Sequence, residues 1–250
     1  MKFIKHLPNF LTICNALLGC FALFFLFVES FGYSNSEKYH CIILLIFIAA
    51  IFDFLDGFFA KFLNVKSNLG SQLDSFSDLI SFAVVPAFLL IYYLSIHEFS
   101  LYVKLTPLII ILSSIYRLSK FNLLESSNHF KGLPTPANAM FFLGLPSLLL
   151  YLNEFVLISI VLVFSFLMIS DFKFYSFKSL KNKDEKQFLF VLILLQLVII
   201  IFSFVYDVEL ASLLSFMILA YILSCFIISG INKEASSYWS LWINTLCEYM

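Results

Sequence analysis

The 250-residue chain is 62% hydrophobic and 12% charged, with a formal net charge of −1 and a mean hydropathy of +0.99. A soluble domain carries about 25% charged residues to solvate its surface, so this composition excludes an ordinary water-soluble fold and points to lipid as the solvent. The near-neutral balance, with no basic stripe, gives no footing for nucleic acid as a partner.

The N-terminal segment Met1–Leu7 is basic and leads into an apolar run that continues through Phe21–Val28. That run is about twice the length of a signal-peptide core and lacks a small-residue cleavage site, so it reads as a retained first span. Windows of about 20 apolar residues then predict transmembrane helices over 10–29, 40–62, 70–95, 103–123, 137–153, 155–172, 187–206 and 208–231. The expected fold is therefore an all-α, polytopic bundle of about eight spans. Pro136 stands where the fifth span can start, while Pro86, Pro107 and Pro146 fall within spans and are expected to kink them. Residues 1–231 form the predicted membrane-embedded domain. The tail 232–250, with Trp239 and Trp242, reads as cytoplasmic or interfacial.

Lys and Arg set the predicted orientation. With a cytoplasmic N-terminus, thirteen of the fifteen fall inside: Lys2, Lys5, Lys61, Lys66, Arg117, Lys120, Lys131, Lys173, Lys178, Lys181, Lys183, Lys186 and Lys233. Only Lys38 and Lys104 fall outside, beside Glu29, Glu37, Glu98, Glu154, Asp207 and Glu209. Both termini are then cytoplasmic, and the charged stretch Lys173–Lys186 becomes an inner loop facing anionic head groups. The five cysteines are scattered without a C-x-x-C pair and read as packing residues, and the four histidines are dispersed.

Ionisable side chains inside spans are costly and default to a functional reading. Asp53 and Asp56 are one turn apart on the second span, and Asp74 and Asp78 are one turn apart on the third, so each pair shares a helix face. Asp53 lies about 12 Å along the helix from Lys61. A short connection between antiparallel spans brings all four carboxylates to one level, where they repel unless a hard divalent cation such as magnesium or manganese joins them. Gly57, Ala60 and Gly70 beside them leave room for a bulky diphosphate. Helix-packing hydrogen bonds, a proton relay and a cation path are the competing readings, although a transporter needs access from both faces and this cluster sits near one.

The segment Asp53-Phe-Leu-Asp56-Gly57-Phe-Phe-Ala60-Lys61, followed after eight residues by Gly70-Ser-Gln-Leu-Asp74-Ser-Phe-Ser-Asp78, resembles the D-x2-D-G-x2-A-R-x8-G-x3-D-x3-D signature of the CDP-alcohol phosphatidyltransferases. Lys61 stands where that family usually has Arg, which keeps the charge and loses the bidentate fork. Pro8–Asn15, Gly70–Phe82, Tyr116–Asn122 and Phe130–Asn138 are similar to segments of its serine-using branch in bacteria and archaea, and the likeness covers roughly residues 5–230.

The resemblance implies transfer of a phosphatidyl group from CDP-diacylglycerol to L-serine, with release of CMP, by a two-metal site using magnesium or manganese. It makes Asp53, Asp56 and Asp74 the metal ligands. Asp78 becomes the general base and a further contact to metal. Gly57, Ala60, Lys61, Gly70, Asn9 and Thr12 would meet the CDP-lipid. Arg117, Asn122, Pro134, Thr135 and Asn138 would hold serine and phosphate. It also implies a homodimer in the bacterial cytoplasmic membrane, with the site facing the cytoplasm. A sister enzyme using glycerol 3-phosphate or inositol is the nearest alternative. Three groups keep a second reading from the residues alone: Arg117 and Lys120 as anchors of a helix end, Gly132–Asn138 as a turn, and Asn9, Thr12 and Asn15 as interhelical hydrogen bonders.

Overall fold

The computed structural model describes residues 6–28, 32–65, 67–123, 132–172, 174, 183–206 and 209–248. All the regular structure among them is helical. Helix α1 spans Leu7–Phe27, with Pro8 in its first turn, where the missing N–H costs nothing. Helix α2 spans Asn35–Phe62 and starts five residues before the predicted 40. A capping box explains the early start. The Glu37 N–H donates to Ser34 Oγ (3.3 Å), and the Ser34 N–H donates to Glu37 Oε2 (2.8 Å). Lys38, predicted for the outer connection, is consequently inside α2 and only 5% exposed.

The predicted third span is two helices, α3 (Asn68–Leu79) and α4 (Val85–Ile96), joined by a π-turn over Ile80–Val84. Pro86 supplies the cause. It has no N–H for the α pattern, and its ring would press on the carbonyl one turn back, so the preceding turn widens and the Val85 N–H reaches Ile80 O instead. Pro107 acts similarly between α5 (Leu101–Leu105) and α6 (Leu108–Leu123). There Val103 O takes the Thr106 N–H (3.1 Å) and the Thr106 hydroxyl (2.8 Å). Helix α7 (Thr135–Gly144) runs into a 3-10 segment, Leu145–Tyr151, with Pro146 in its first turn. Helices α8 (Glu154–Ile169), α9 (Lys183–Val205) and α10 (Leu210–Glu248) complete the described chain.

Among the described residues, six stretches are long and apolar enough to cross a bilayer: Leu7–Phe27, Asn35–Phe62, Asn68–Ile96, Leu101–Leu123, Gln187–Val205 and Leu210–Ser229. The chain is an integral membrane protein. The fifth and sixth predicted spans correspond to shorter elements. One is α7 with its 3-10 extension; the other is α8, 16 residues long, which Asn153 caps at its start. Helix α8 stops at Ile169, short of the predicted 172, because the chain there turns to bond the segment before α7. The Gly132 N–H donates to Phe172 O (2.9 Å) and the Leu133 N–H to Leu167 O (3.0 Å).

Two apolar clusters hold the bundle. One gathers Leu94, Ile110, Phe142, Val161, Phe164 and Tyr221 from α4, α6, α7, α8 and α10. The other joins Leu26, Ile42, Ile46, Phe82 and Leu89 from α1, α2, the π-turn and α4. Helix α4 contributes to both and fixes the position of the π-turn between them. Against that turn α1 comes unusually close: a Cβ on Gly19 would lie 2.6 Å from Ser81 Oγ and 3.1 Å from its Cα. Only glycine permits this approach.

Candidate active site

The two carboxylate pairs predicted from sequence meet at one end of the bundle, where the α2–α3 connection and the C-terminal end of α6 also lie. Asp53 and Asp56 come from α2 and Asp74 from α3, and each offers an oxygen within 4.8 Å of the other two. All three donors are carboxylate oxygens, the kind that hard divalent cations prefer. Three carboxylates at such distances repel one another, and a cation among them offsets that repulsion. Asp56 is the most enclosed, at 5% exposure. Its Oδ2 accepts a 2.5 Å hydrogen bond from Thr12 Oγ1 on α1. Thr12 is therefore a neighbour of a candidate metal ligand, where sequence assigned it to the CDP-lipid.

Asp78 falls outside that three-carboxylate set. One helical turn along α3 from Asp74, it lies within electrostatic reach of Asp53, Asp74 and the Arg117 guanidinium, and its Oδ1 is buried. Arg117 comes from α6 and donates through a terminal guanidinium nitrogen to Thr135 Oγ1 at the start of α7. Arg117 thus bonds α6 to the start of α7 and lies within electrostatic reach of Asp78 on α3.

The turn that delivers Thr135 is built on Gly132. Its φ is +79°, and a Cβ there would sit 2.3 Å from Met168 O. Backbone pairing gives Leu167 O, one of the last carbonyls of α8, a partner and fixes Pro134 as the residue before α7. Asn138, one turn along α7 from Thr135, is fully buried.

Asn122, expected to hold serine, is otherwise engaged. Its Nδ2 donates to Ser75 Oγ (2.9 Å) and its Oδ1 accepts from Ser71 Oγ (3.2 Å), which clamps α6 onto α3. Lys120 pairs with Asp171 at 3.1 Å on the exposed rim.

The other expected lipid-facing positions line the open side. Nothing lies within 4 Å of a Cβ built on Gly57, so the space over that residue is clear. Ala60 and Lys61 continue that side of α2, with Lys61 exposed. Gly70, in the first turn of α3, has Asn9 Oδ1 only 3.0 Å from the place its Cβ would take. Asn9 thus lies against Gly70 at the cytoplasm-predicted end of the cleft.

Sequence reasoning missed the serines that hold this arrangement. Ser77 Oγ donates to Thr12 O, and Ser81 Oγ to Asn15 O, both at 3.0 Å. Small polar residues four apart on a helix are a recognised signal of close interhelical contact, and Ser77 and Ser81 carry it.

Residues 5–170 match the family profile described as CDP-alcohol phosphatidyltransferase. Among curated proteins, the chain is 34% identical over 176 residues to a CDP-diacylglycerol–serine O-phosphatidyltransferase of Bacillus subtilis, covering 70% of this chain and 93% of that protein. It is 33% identical over 173 residues to the Methanocaldococcus jannaschii protein of the same description, covering 68% and 74%. An archaetidylserine synthase of Methanothermobacter thermautotrophicus is 35% identical over 137 residues, 54% of each chain.

Proposed function

This chain belongs to the CDP-alcohol phosphatidyltransferase family, and we propose that it transfers a phosphatidyl group from CDP-diacylglycerol to the hydroxyl of L-serine, releasing CMP. The observation that carries the reading is the convergence of Asp53, Asp56 and Asp74 from two helices beside the open space at Gly57. The descriptions of the relatives from Bacillus subtilis and Methanocaldococcus jannaschii support serine as the acceptor.

Asp53, Asp56 and Asp74 would hold one or two divalent cations, magnesium or manganese by their all-oxygen donor set. Bound there, the metal supplies charge neutralisation across the diphosphate of the CDP-lipid. Gly57 and Ala60 leave room for the nucleotide, with Lys61 and Asn9 at the mouth of the cleft. Asp78, buried beside the cluster, accepts the serine hydroxyl proton as that oxygen bonds to the lipid-side phosphorus. The bond from that phosphorus to the bridging oxygen breaks, and CMP leaves with the electron pair. Arg117, held by Thr135, orients the acceptor carboxylate. Asn122 steadies α6 against α3, and Pro134 shapes the turn into α7.

The formal charges of Asp78 and Arg117 balance, which suits a zwitterionic acceptor better than the dianion of glycerol 3-phosphate. In the proposed orientation the cleft opens to the cytoplasm, at a depth where the diacylglycerol anchor stays in the bilayer. A homodimer is part of the proposal, though every residue named here comes from one chain.

The test is incubation of purified protein with CDP-diacylglycerol, manganese or magnesium and a panel of labelled alcohols, followed by lipid chromatography and measurement of CMP. Serine-dependent CMP release with labelled phosphatidylserine is the expected result. Preference for glycerol 3-phosphate or inositol would replace serine in this reading, and no CMP with any alcohol would remove the transferase.

A further inference from the structure

An apolar stripe leads away from the carboxylates along α2. Phe58, Phe54, Ile51, Phe47 and Leu44 are all exposed and follow one another at spacings of three and four, so they share one face of the helix. Gly57 lies four residues after Asp53 and three after Phe54, which puts it between the carboxylate face and this stripe. The stripe ends in a half-open cavity of about 480 Å³ between α2, α9 and α10. Leu44 and Phe47 belong to one wall, Ile199 and Ile200 to a second, and Leu213 and Met217 to a third. Every lining residue is apolar except His40, which stands at the end remote from the carboxylates with its Nδ1 bonded to Ser36 O at 2.7 Å.

Register along α2 decides what can reach this cavity. Phe47 lies about 15 Å along the helix from Gly57, and His40 about 25 Å. The chains of one leaflet fill about 15 Å, half of a hydrocarbon core about 30 Å thick. Gly57 is itself about 7.5 Å inward of the Phe62 end of α2. A lipid whose diphosphate sits beside Gly57 is therefore rooted deeper than its neighbours, and its chains end in the half of α2 that holds the cavity. Lipid of the opposite leaflet fills that depth unless the protein keeps a place free. Two of the three walls come from α9 and α10, beyond the residues 5–170 that match the family profile.

We propose that the cavity between α2, α9 and α10 receives the far end of one acyl chain of the CDP-lipid donor and thereby sets a chain-length preference. The assignment rests on the transferase reading above and extends it to selection of the donor. The chain enters from lipid and not from water, so what it gains is packing against the three walls rather than hydrophobic transfer. A tail that stops short of Phe47 makes none of those contacts. His40 marks the limit, since an apolar tail gains nothing by passing a polar side chain.

The experiment places the full chain in lipid nanodiscs with manganese and a CDP-diacylglycerol that carries a diazirine at the end of a palmitoyl chain. After irradiation, adducts are expected on Ile199, Ile200, Leu213 and Met217. Excess unlabelled CDP-diacylglycerol should suppress them to background, and the same excess of phosphatidylcholine should not. Adducts spread evenly over lipid-facing positions such as Phe166 on α8, or adducts that the competitor leaves unchanged, overturn the assignment, because ordinary bilayer lipid then fills the cavity.

Leu44→Trp supplies a second test. Leu44 is exposed and belongs to neither apolar cluster, so the larger ring fills the cavity without entering the core. The ratio of kcat/KM for dipalmitoyl over dioctanoyl CDP-diacylglycerol should fall about 3- to 10-fold below wild type, the low end of what a filled apolar pocket discriminates. Phe166→Trp, exposed on α8 and outside the cavity, should keep the wild-type ratio. Equal ratios in the two variants overturn the proposal. The labelling needs only donor binding. Competitor-sensitive adducts with no CMP released to any alcohol would thus remove the transferase reading and leave the chain site standing, whereas no competitor-sensitive adducts anywhere would remove the chain site.

Discussion

Thr12 Oγ1 lies 2.5 Å from Asp56 Oδ2 and 3.0 Å from the carbonyl of Pro8, so one hydroxyl hydrogen faces two acceptors. The shorter contact is to the carboxylate, and charge-assisted bonds are the stronger kind. Partners behind a metal ligand fix its orientation, and their loss typically costs about 10- to 100-fold in metal affinity. Thr12→Val should therefore weaken manganese binding by about that factor, while Thr12→Ser should restore it. Electron paramagnetic titration of manganese without substrate decides the matter. Normal manganese affinity with weakened CDP-lipid binding would return Thr12 to the lipid-contact role expected from sequence.

Asp78 separates chemistry from binding. Asp78→Asn keeps size and polarity but accepts no proton, so CMP release should fall by about 10²–10⁴-fold. Metal and CDP-lipid binding should persist, in contrast to Asp56→Asn, which removes a ligand of the cluster. Parallel binding calorimetry and initial rates on both variants make the comparison. Near-normal turnover in Asp78→Asn would refute the base assignment.

Gly57→Ala should move stability and affinity in opposite directions. Nothing meets the added methyl in the protein, and alanine is favoured over glycine in a helix by about 1 kcal/mol. Thermal stability should rise slightly while CDP-lipid affinity drops, because the methyl enters the space assigned to the nucleotide. Unchanged affinity would show that the diphosphate lies elsewhere.

Gly132→Ala should be severe. The residue sits at φ +79°, and its new Cβ would lie 2.3 Å from Met168 O, so the turn into α7 cannot form as it stands. The left-handed backbone alone costs about 1–3 kcal/mol outside glycine, and the steric clash adds to it. A markedly lower unfolding temperature in detergent, or loss of folded yield, is the expected readout; wild-type stability would contradict the geometry.

Orientation has its own test. Single-cysteine variants in the 62–67 connection should label only from the cytoplasmic side, and those at 97–100 only from outside. External labelling of the 62–67 connection would invert the proposed topology.

The chemistry-bearing residues were legible because charge inside an apolar run is conspicuous, and spacings of three and four put each Asp pair on one face. Asp53, Asp56 and Asp74 accordingly meet as expected. The capping box Ser34–Glu37 was equally readable and would have started α2 at Asn35. Other features depend on contacts far apart in the chain. No local pattern announces that Asn122 is spent on Ser71 and Ser75, or that Thr12 turns toward Asp56. The pairing of Gly132 and Leu133 with the end of α8 leaves only a glycine as its trace. Proline positions were visible, yet which helix type each would impose depends on the surrounding packing.

The π-turn at Ile80–Val84 makes the third span work like a shaft cut with two threads at different phases. One residue more than an α-turn needs resets everything beyond it by about 100°. The α3 half can then aim Asp74 and Asp78 at the cleft while the α4 half aims Leu89 and Leu90 at the core, neither dictating the angle of the other. Deleting a single residue there would leave every carboxylate of the site intact and still misalign the two halves, so the length of this segment is as much a determinant of the site as the identity of its carboxylates.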